Sequence, residues 1–340
     1  MKRICAVFLA VSLLLGGCAG AQSAPTPYNA TYLNVFDTVT TILGFGETEE
    51  QFRQEAQKIY EQLLAYHQLF DIYNDYAGIH NLKTVNDQAG IAPVTVDPAI
   101  IELLLACKDH YNLTGGKVNA AMGSVLRLWH EARNESLASP ENAHIPDTAA
   151  LAQAAEHISF DAVVIDETAS TVYISDPETS LDVGAVAKGW AAQKVAEAAP
   201  EGMLISLGGN VCATGPKYED GTPWVIGVQD PADSSKYIKT LRVAGGAVVT
   251  SGDYQRTYTV DGKQYHHIID PGTQMPAAHW RSVTVVCEDS ALADALSTAL
   301  FLLPLDEGQV LAGKCSAQAL WLDAEGNEYM TPGFRELLQP

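Results

Sequence analysis

From about residue 162 onward the chain is a succession of short apolar and β-branched runs punctuated by glycine and proline turns, and that pattern limits its fold more than any other. Runs at 162–165, 171–174, 203–207, 224–229, 238–243, 247–250, 254–260, 282–287 and 319–322 read as strands, with Asp261-Gly262 as a hairpin turn. Strands that follow one another with few helices between them pair antiparallel. The expected class is therefore α+β, largely antiparallel sheets with flanking helices, and not a doubly wound sheet. One more strand is expected earlier, at 34–43.

Helices are expected in three places. At 49–69, Thr48 and Gln51 form a capping box ahead of Phe52, Ala56, Ile59 and Leu63 at helical spacing. At 98–112, Asp97 is the N-cap, Pro98 takes the first position and Gly115-Gly116 stops the helix. At 289–303, Asp294, Ser297 and Thr298 fall three and four residues apart on one face. The polar stretch 134–147, with Pro140 and Pro146, reads as a surface loop.

Polar residues cluster beside glycines in LDVGAVAKG (181–189), SGDYQRTY (251–258) and HHIIDPGTQMP (266–276), followed by ADALST (293–298). A helix opening at Gly184-Ala185 behind Asp182 would offer free N–H groups and a positive dipole end to a phosphate, or Asp182 could simply cap it. One carboxylate and two hydroxyls converging on a helix face suit Mg²⁺, which keeps waters and shares phosphate oxygens with a substrate. Ala291, Leu292, Ala295, Leu296, Leu300 and Phe301 surround Asp294, so an unpartnered carboxylate there would be costly. Neither G-x-G-x-x-G after a strand nor G-x-x-x-x-G-K-[ST] occurs, which leaves a Rossmann domain and a P-loop without support. Tyr254, Tyr258 and Tyr265 read as strand packing.

The series DxGxxAKG, GGN, SGDY and HxIDPxT, in that order, resembles the FAD:protein FMN transferases of the ApbE family over 31–339. The resemblance implies an ApbE-like domain at 31–340 that splits FAD at its diphosphate. FMN would pass to a Thr or Ser hydroxyl of a partner protein and AMP would leave. The family's metal pattern falls on the Ala185 carbonyl, Asp294, Ser297 and Thr298. Its FAD contacts fall on Phe36, Tyr73, Lys117, Val118, Asn119, Asp182, Lys188 and Ile269, with the SLGGN glycines letting backbone approach the cofactor. His267 and Asp270 would lie beside the phosphates, with Lys188, Arg256 and a helix N-terminus supplying charge. Either His267 or Asp294 is placed to take the hydroxyl proton.

Some positions depart from the family pattern. Phe36-Asp37-Thr38 stands where many members have Met-Gly-Thr, Asn119 replaces an Asp, and Gln274 follows DPGT where a glycine is usual. Hydrolysis of FAD by water, or FAD binding without chemistry, are the alternatives to transfer.

Lys2-Arg3, an apolar run from Ile4 to Leu15 and then Gly16-Gly17-Cys18 read as a signal peptide at 1–17 that ends in a lipobox. About a dozen apolar residues are too few to span a bilayer. Cys18 is thus the expected lipidation site and 18–30 a tether, which would put the enzyme on the extracytoplasmic face of the cell membrane. Its expected acceptor is an exported flavin-carrying protein of an electron-transfer system. A net charge of −21 argues against a nucleic-acid binder, which needs a basic face. Cys107, Cys212, Cys287 and Cys315 lack CxxC spacing, so neither zinc nor a disulfide framework is indicated.

Overall fold

The computed structural model describes residues 27–45 and 48–340. The signal-peptide and Cys18 expectations, and most of the tether, lie outside those residues. Eight strands build the main sheet in chain order, every neighbouring pair antiparallel. They are β1 (Tyr28–Val35), β2 (Thr38–Gly44), β3 (Met203–Leu207), β4 (Asn210–Ala213), β5 (Gly246–Gly252), β6 (Ser282–Cys287), β7 (Gln318–Leu322) and β8 (Glu328–Met330). The α+β expectation holds.

The period-2 pattern fixes which side chains go to which face. Ile205, Leu207 and Cys212 pack on one side, while Leu204, Val211 and Ala213 pack on the other. Helices α1 (Glu49–Phe70), α4 (Ala187–Ala198) and α5 (Ser290–Leu302) cover the first face. The hairpin Trp224–Gln229 with Tyr237–Val243 and the short helix Pro332–Glu336 cover the second. Both faces are therefore dry, and the central strands are apolar at nearly every position. Helix α2 (Pro98–Leu113) packs on a small sheet of Val94–Thr95, Thr171–Ile174 and Val163–Asp166.

The caps behave as their chemistry requires. The Thr48 hydroxyl accepts the Gln51 N–H, Asp97 accepts the Ala99 N–H, and Asp289 accepts the Leu292 N–H. Gly115 and Gly116 both take positive φ at the end of α2.

Four expectations are corrected. The strand expected at 34–43 is a hairpin, because Phe36 and Asp37 take φ of 51° and 52° and reverse the chain between Val35 and Thr38. The loop expected at 134–147 is helical to Ala138. Helix α3 (Gly123–Ala138) buries Val125, Trp129 and Ala132, and its polar composition belongs to its exposed face. Only Tyr258–Val260 of the run 254–260 is strand, since the Tyr254 ring folds back over Gly252 and Arg256 turns the chain at φ 48°. Tyr258 and Tyr265 do pack across that hairpin, against Trp129. Finally, α4 starts at Ala187, and the Asp182 carboxylate accepts the Gly184 N–H in a local turn instead of capping the helix.

Candidate active site

Several turns meet at one end of the main sheet. The Phe36-Asp37 turn lies beside the Gly208-Gly209 turn that joins β3 to β4, with the Gly208 N–H on the Val39 carbonyl. Gly208 has φ 57°, and a side chain there would run into Thr38, so glycine is required for the two turns to pack. The end of β5 with Ser251 and Gly252 opens beside the start of β6, where the Asp253 N–H reaches the Arg281 carbonyl.

Helices α4 and α5 cross next to these strand ends. Gly189 sits at the crossing, where a Cβ would meet the Ser290 carbonyl and Asp294 Cβ. Its N–H donates to Asp294 Oδ2 at 2.8 Å, and Lys188 Nζ stands 3.8 Å from the same oxygen while donating to the Gly184 carbonyl at 3.2 Å. In an uninterrupted helix that N–H would close on the carbonyl of Ala185, four residues back. Among the described residues no backbone bond to Ala185 O replaces it, so the carbonyl expected as a metal ligand is left unclaimed beside Asp294.

The other expected ligands divide. Asp294 is buried, at 4 % exposure, with Oδ1 free of hydrogen bonds among the described residues. The Thr298 hydroxyl is likewise unengaged there, one turn along α5. The Ser297 hydroxyl is engaged more than the others: wholly buried, it lies 2.8 Å from Ser251 Oγ and donates to the Asp294 carbonyl at 2.9 Å, which leaves it one lone pair. No cluster of three His, Cys, Asp or Glu side chains able to hold a metal occurs among the described residues. A carboxylate, a carbonyl and a hydroxyl that leave positions open still fit Mg²⁺, which prefers few protein ligands plus water and phosphate. As placed, Ser297 Oγ contributes by bracing α5 against β5.

The second part of the site is the turn after α2. The Asp182 N–H donates to the Ala120 carbonyl and the Gly123 N–H to the Ser180 carbonyl, which draws residues 117–119 up to the Asp182 segment. Lys117 Nζ pairs with Asp270 Oδ2 at 2.9 Å, and Asp270 Oδ1 accepts the Gly272 N–H. Both ends of the Asn119 amide are engaged, Oδ1 by the Ala121 N–H and Nδ2 by the Ile158 carbonyl. Val118 and Ile269 turn their side chains into the core, leaving only backbone for a ligand. Lys117 and Asn119 edge an open depression shared with Tyr111, Pro271 and Gly272.

The third part is a rim. Phe36 is held at its hairpin tip by its N–H on His67 Nδ1. Tyr73 is 55 % exposed and stacks on His130 of α3 at 5.2 Å between ring centres. His267 keeps open surface although protein crowds its ring, as befits a residue lining a cleft. Desolvation first, then the charges of Arg256, His266 and Lys188, hold its pKa below the ordinary imidazole range. Its open side moderates that effect, so the direction matters and the ring stays neutral near pH 7. His267 Nδ1 lies 3.2 Å from the Gln255 carbonyl. A carbonyl only accepts, so Nδ1 carries the proton and Nε2 presents a lone pair.

The chain and its fold have counterparts among known proteins. Residues 27–321 match the ApbE family. The chain belongs to it. A "FAD:protein FMN transferase" of Klebsiella pneumoniae is 34% identical over 251 residues, 71% of this chain and 75% of that protein. One of the same name from Salmonella typhimurium is 28% identical over 98% of this chain and 97% of its own length. The crystal structure of the ApbE protein of Thermotoga maritima superposes with a TM-score of 0.81 at 28% identity, covering 93% of this chain and all of that one. This ApbE-family chain thus shares the family fold. His130 went unnoticed in the sequence because α3 carries no motif; the spacing of Val125, Trp129 and Ala132 was the signal that could have placed it.

Proposed function

We propose that this enzyme transfers FMN from FAD to a Thr or Ser hydroxyl of an exported acceptor protein and releases AMP. The observation that carries this reading is the diversion of the Gly189 N–H to Asp294, which leaves the Ala185 carbonyl, Asp294 Oδ1 and Thr298 free beside Lys188 and His267. Mg²⁺ held by Ala185 O, Asp294 and Thr298 would neutralise phosphate charge and polarise the phosphorus.

The chain's own residues would position the reactants. Lys188 and the Gly184–Val186 turn face the diphosphate, while Phe36 and Tyr73 offer aromatic surface to the flavin. The acceptor oxygen forms a bond to the FMN phosphorus as the bond from that phosphorus to the AMP oxygen breaks. The hydroxyl proton passes to His267 Nε2, which the Gln255 contact leaves unprotonated. Asp294 is the weaker candidate for that proton, since it is already engaged by Gly189 and Lys188.

Cys18, lipidated after removal of 1–17, would hold this domain on the extracytoplasmic face of the membrane through the tether, within reach of exported electron-transfer proteins. Loss of membrane fractionation in Cys18→Ala tests the anchor.

The decisive assay incubates the protein with FAD, Mg²⁺ and a Thr-bearing acceptor, then measures AMP and acceptor mass. Stoichiometric AMP and a covalent FMN adduct are expected. AMP with no adduct makes it an FAD pyrophosphatase, and bound FAD with neither product makes it a flavin-binding lipoprotein.

A further inference from the structure

Tyr73 stands on the rim, 55 % exposed, and among the described residues the one ring against it is that of His130. Where such a side chain points is set first by its backbone, because φ and ψ decide which rotamers are open. That backbone is held by Asp71, two residues back, at the C-terminal end of α1. Asp71 Oδ1 accepts the Tyr73 N–H at 2.6 Å and the Asn74 N–H at 3.1 Å, while Oδ2 accepts the Asn74 amide and the Tyr76 hydroxyl, each at 2.8 Å.

Four donors converging on one group call for a carboxylate, which when ionised only accepts and has lone pairs for all of them. Asp71 is nevertheless buried, and among the described residues no cation pairs with it; Lys83 Nζ goes to Asp75 and Asp87 instead. Burial alone would raise its pKa, but the hydrogen bonds from Asn74, Tyr73 and Tyr76 outweigh burial and hold it below the usual carboxylate range. Keeping a charge out of water is costly, and here hydrogen bonds to one short loop offset that cost. Neighbouring contacts tie the same loop down. Asn81, wholly buried, donates from Nδ2 to the Asn74 carbonyl at 2.8 Å, and the Lys83 N–H reaches the Asp71 carbonyl at 3.0 Å. The Tyr76 ring meets that of His67, whose Nδ1 holds the Phe36 N–H.

We infer that Asp71 is a positioning residue for the reaction, holding Tyr73 against His130 so that the rim presents a preformed aromatic surface. Asp71 acts through Tyr73 and touches no substrate itself. A ring fixed before binding spares the complex the cost of ordering it, so the benefit falls on the flavin and not on the nucleotide half of FAD. An acid that served only the fold would affect both halves alike. This inference rests on the proposed use of FAD.

The test pairs calorimetric binding of riboflavin, AMP and FAD with the nuclear magnetic resonance signal of the His130 ring, assigned by its loss in His130→Gln. The full protein, Asp71→Asn, Tyr76→Phe, Tyr73→Ala and the double variant of Asp71→Asn with Tyr73→Ala are compared once circular dichroism shows each to be folded. Asp71→Asn keeps an acceptor for the two backbone N–H groups but sets a second amide donor against Asn74. It is expected to weaken riboflavin and FAD about fivefold with AMP unaltered. Tyr76→Phe removes one bond of the four, so it should act in the same direction to a smaller degree, and it carries the test where the Asn variant does not fold. In the Tyr73→Ala background Asp71→Asn should cost nothing further. In the free protein Asp71→Asn should remove the ring-current shift of His130 as Tyr73→Ala does. Unchanged riboflavin binding, an equal loss for AMP, an additive loss in the double variant or an unchanged His130 signal overturns the inference. If wild type binds no flavin while the His130 signal responds as expected, Asp71 does position Tyr73 and the FAD reading is what fails.

Discussion

The Gly189 N–H points out of its own helix and into the carboxylate of Asp294, 105 residues away in sequence. This bond does two things at once. It fixes the rotamer of a buried acid, and it withholds from Ala185 the donor that would have closed its carbonyl into the helix ladder. The oxygens proposed above as metal ligands are thus left open by an interrupted hydrogen-bond pattern at a helix crossing.

Gly189→Ala tests the crossing without altering charge. Its methyl would strike the Ser290 carbonyl and Asp294 Cβ, both backed by a packed core, so α4 and α5 must separate. A stability loss of about 2 kcal/mol in urea unfolding is expected, with AMP release from FAD falling in parallel. Wild-type stability in this variant would show that the helices can part at little cost.

Asp294→Asn separates the hydrogen bond from the charge. The amide oxygen can still accept the Gly189 N–H, so the melting temperature should move little. Divalent-dependent AMP release should fall by about a hundredfold or more, and Asp294→Ala should abolish it. Near-normal turnover in the Asn variant removes Asp294 from the metal set.

Ser297 and Thr298 should behave differently despite their similar chemistry. Ser297→Ala removes a buried hydroxyl bonded to Asp294 O and Ser251, and is expected to cost about 1 kcal/mol of stability with an unchanged Mg²⁺ requirement. Thr298→Val should leave stability alone and raise the half-saturating Mg²⁺ concentration about tenfold. Titration of activity with Mg²⁺ decides; the reverse pattern would return Ser297 Oγ to the ligand set.

As the proposed base, His267 should govern the pH profile. Its pKa is lowered in the folded protein relative to about 6.5 in the unfolded chain, so between those values the unfolded state binds more protons. Stability is therefore present above the unfolded pKa and lost as pH falls below it, and His267→Gln should reduce that acid loss in urea unfolding curves. The same shift keeps kcat/KM flat from about pH 8 to below 6, without the inflection of an ordinary imidazole. Anionic FAD raises the pKa of the bound state, so kcat should decline at a higher pH than kcat/KM. Coincident inflections near 6.5 in both profiles would refute His267 as the base.

The sequence by itself determined the class of fold and where the candidate site residues fall. Strand periodicity is a local property, which is why Met203–Leu207, Trp224–Gln229 and Ser282–Cys287 were legible to the residue, and glycine-bounded motifs confined the acids and lysines to a few places. Helix α3 was obscured because its exposed face resembles a loop, and the Phe36-Asp37 reversal because nothing in the composition of either residue demands positive φ. Only the tertiary structure decided how each side chain is engaged. It paired the Ser297 hydroxyl with Ser251, freed the Ala185 carbonyl and tied Lys117 to Asp270. Periodicity and motif spacing fix what a segment is; its hydrogen-bond partners come from segments a hundred residues away, and no local pattern encodes them.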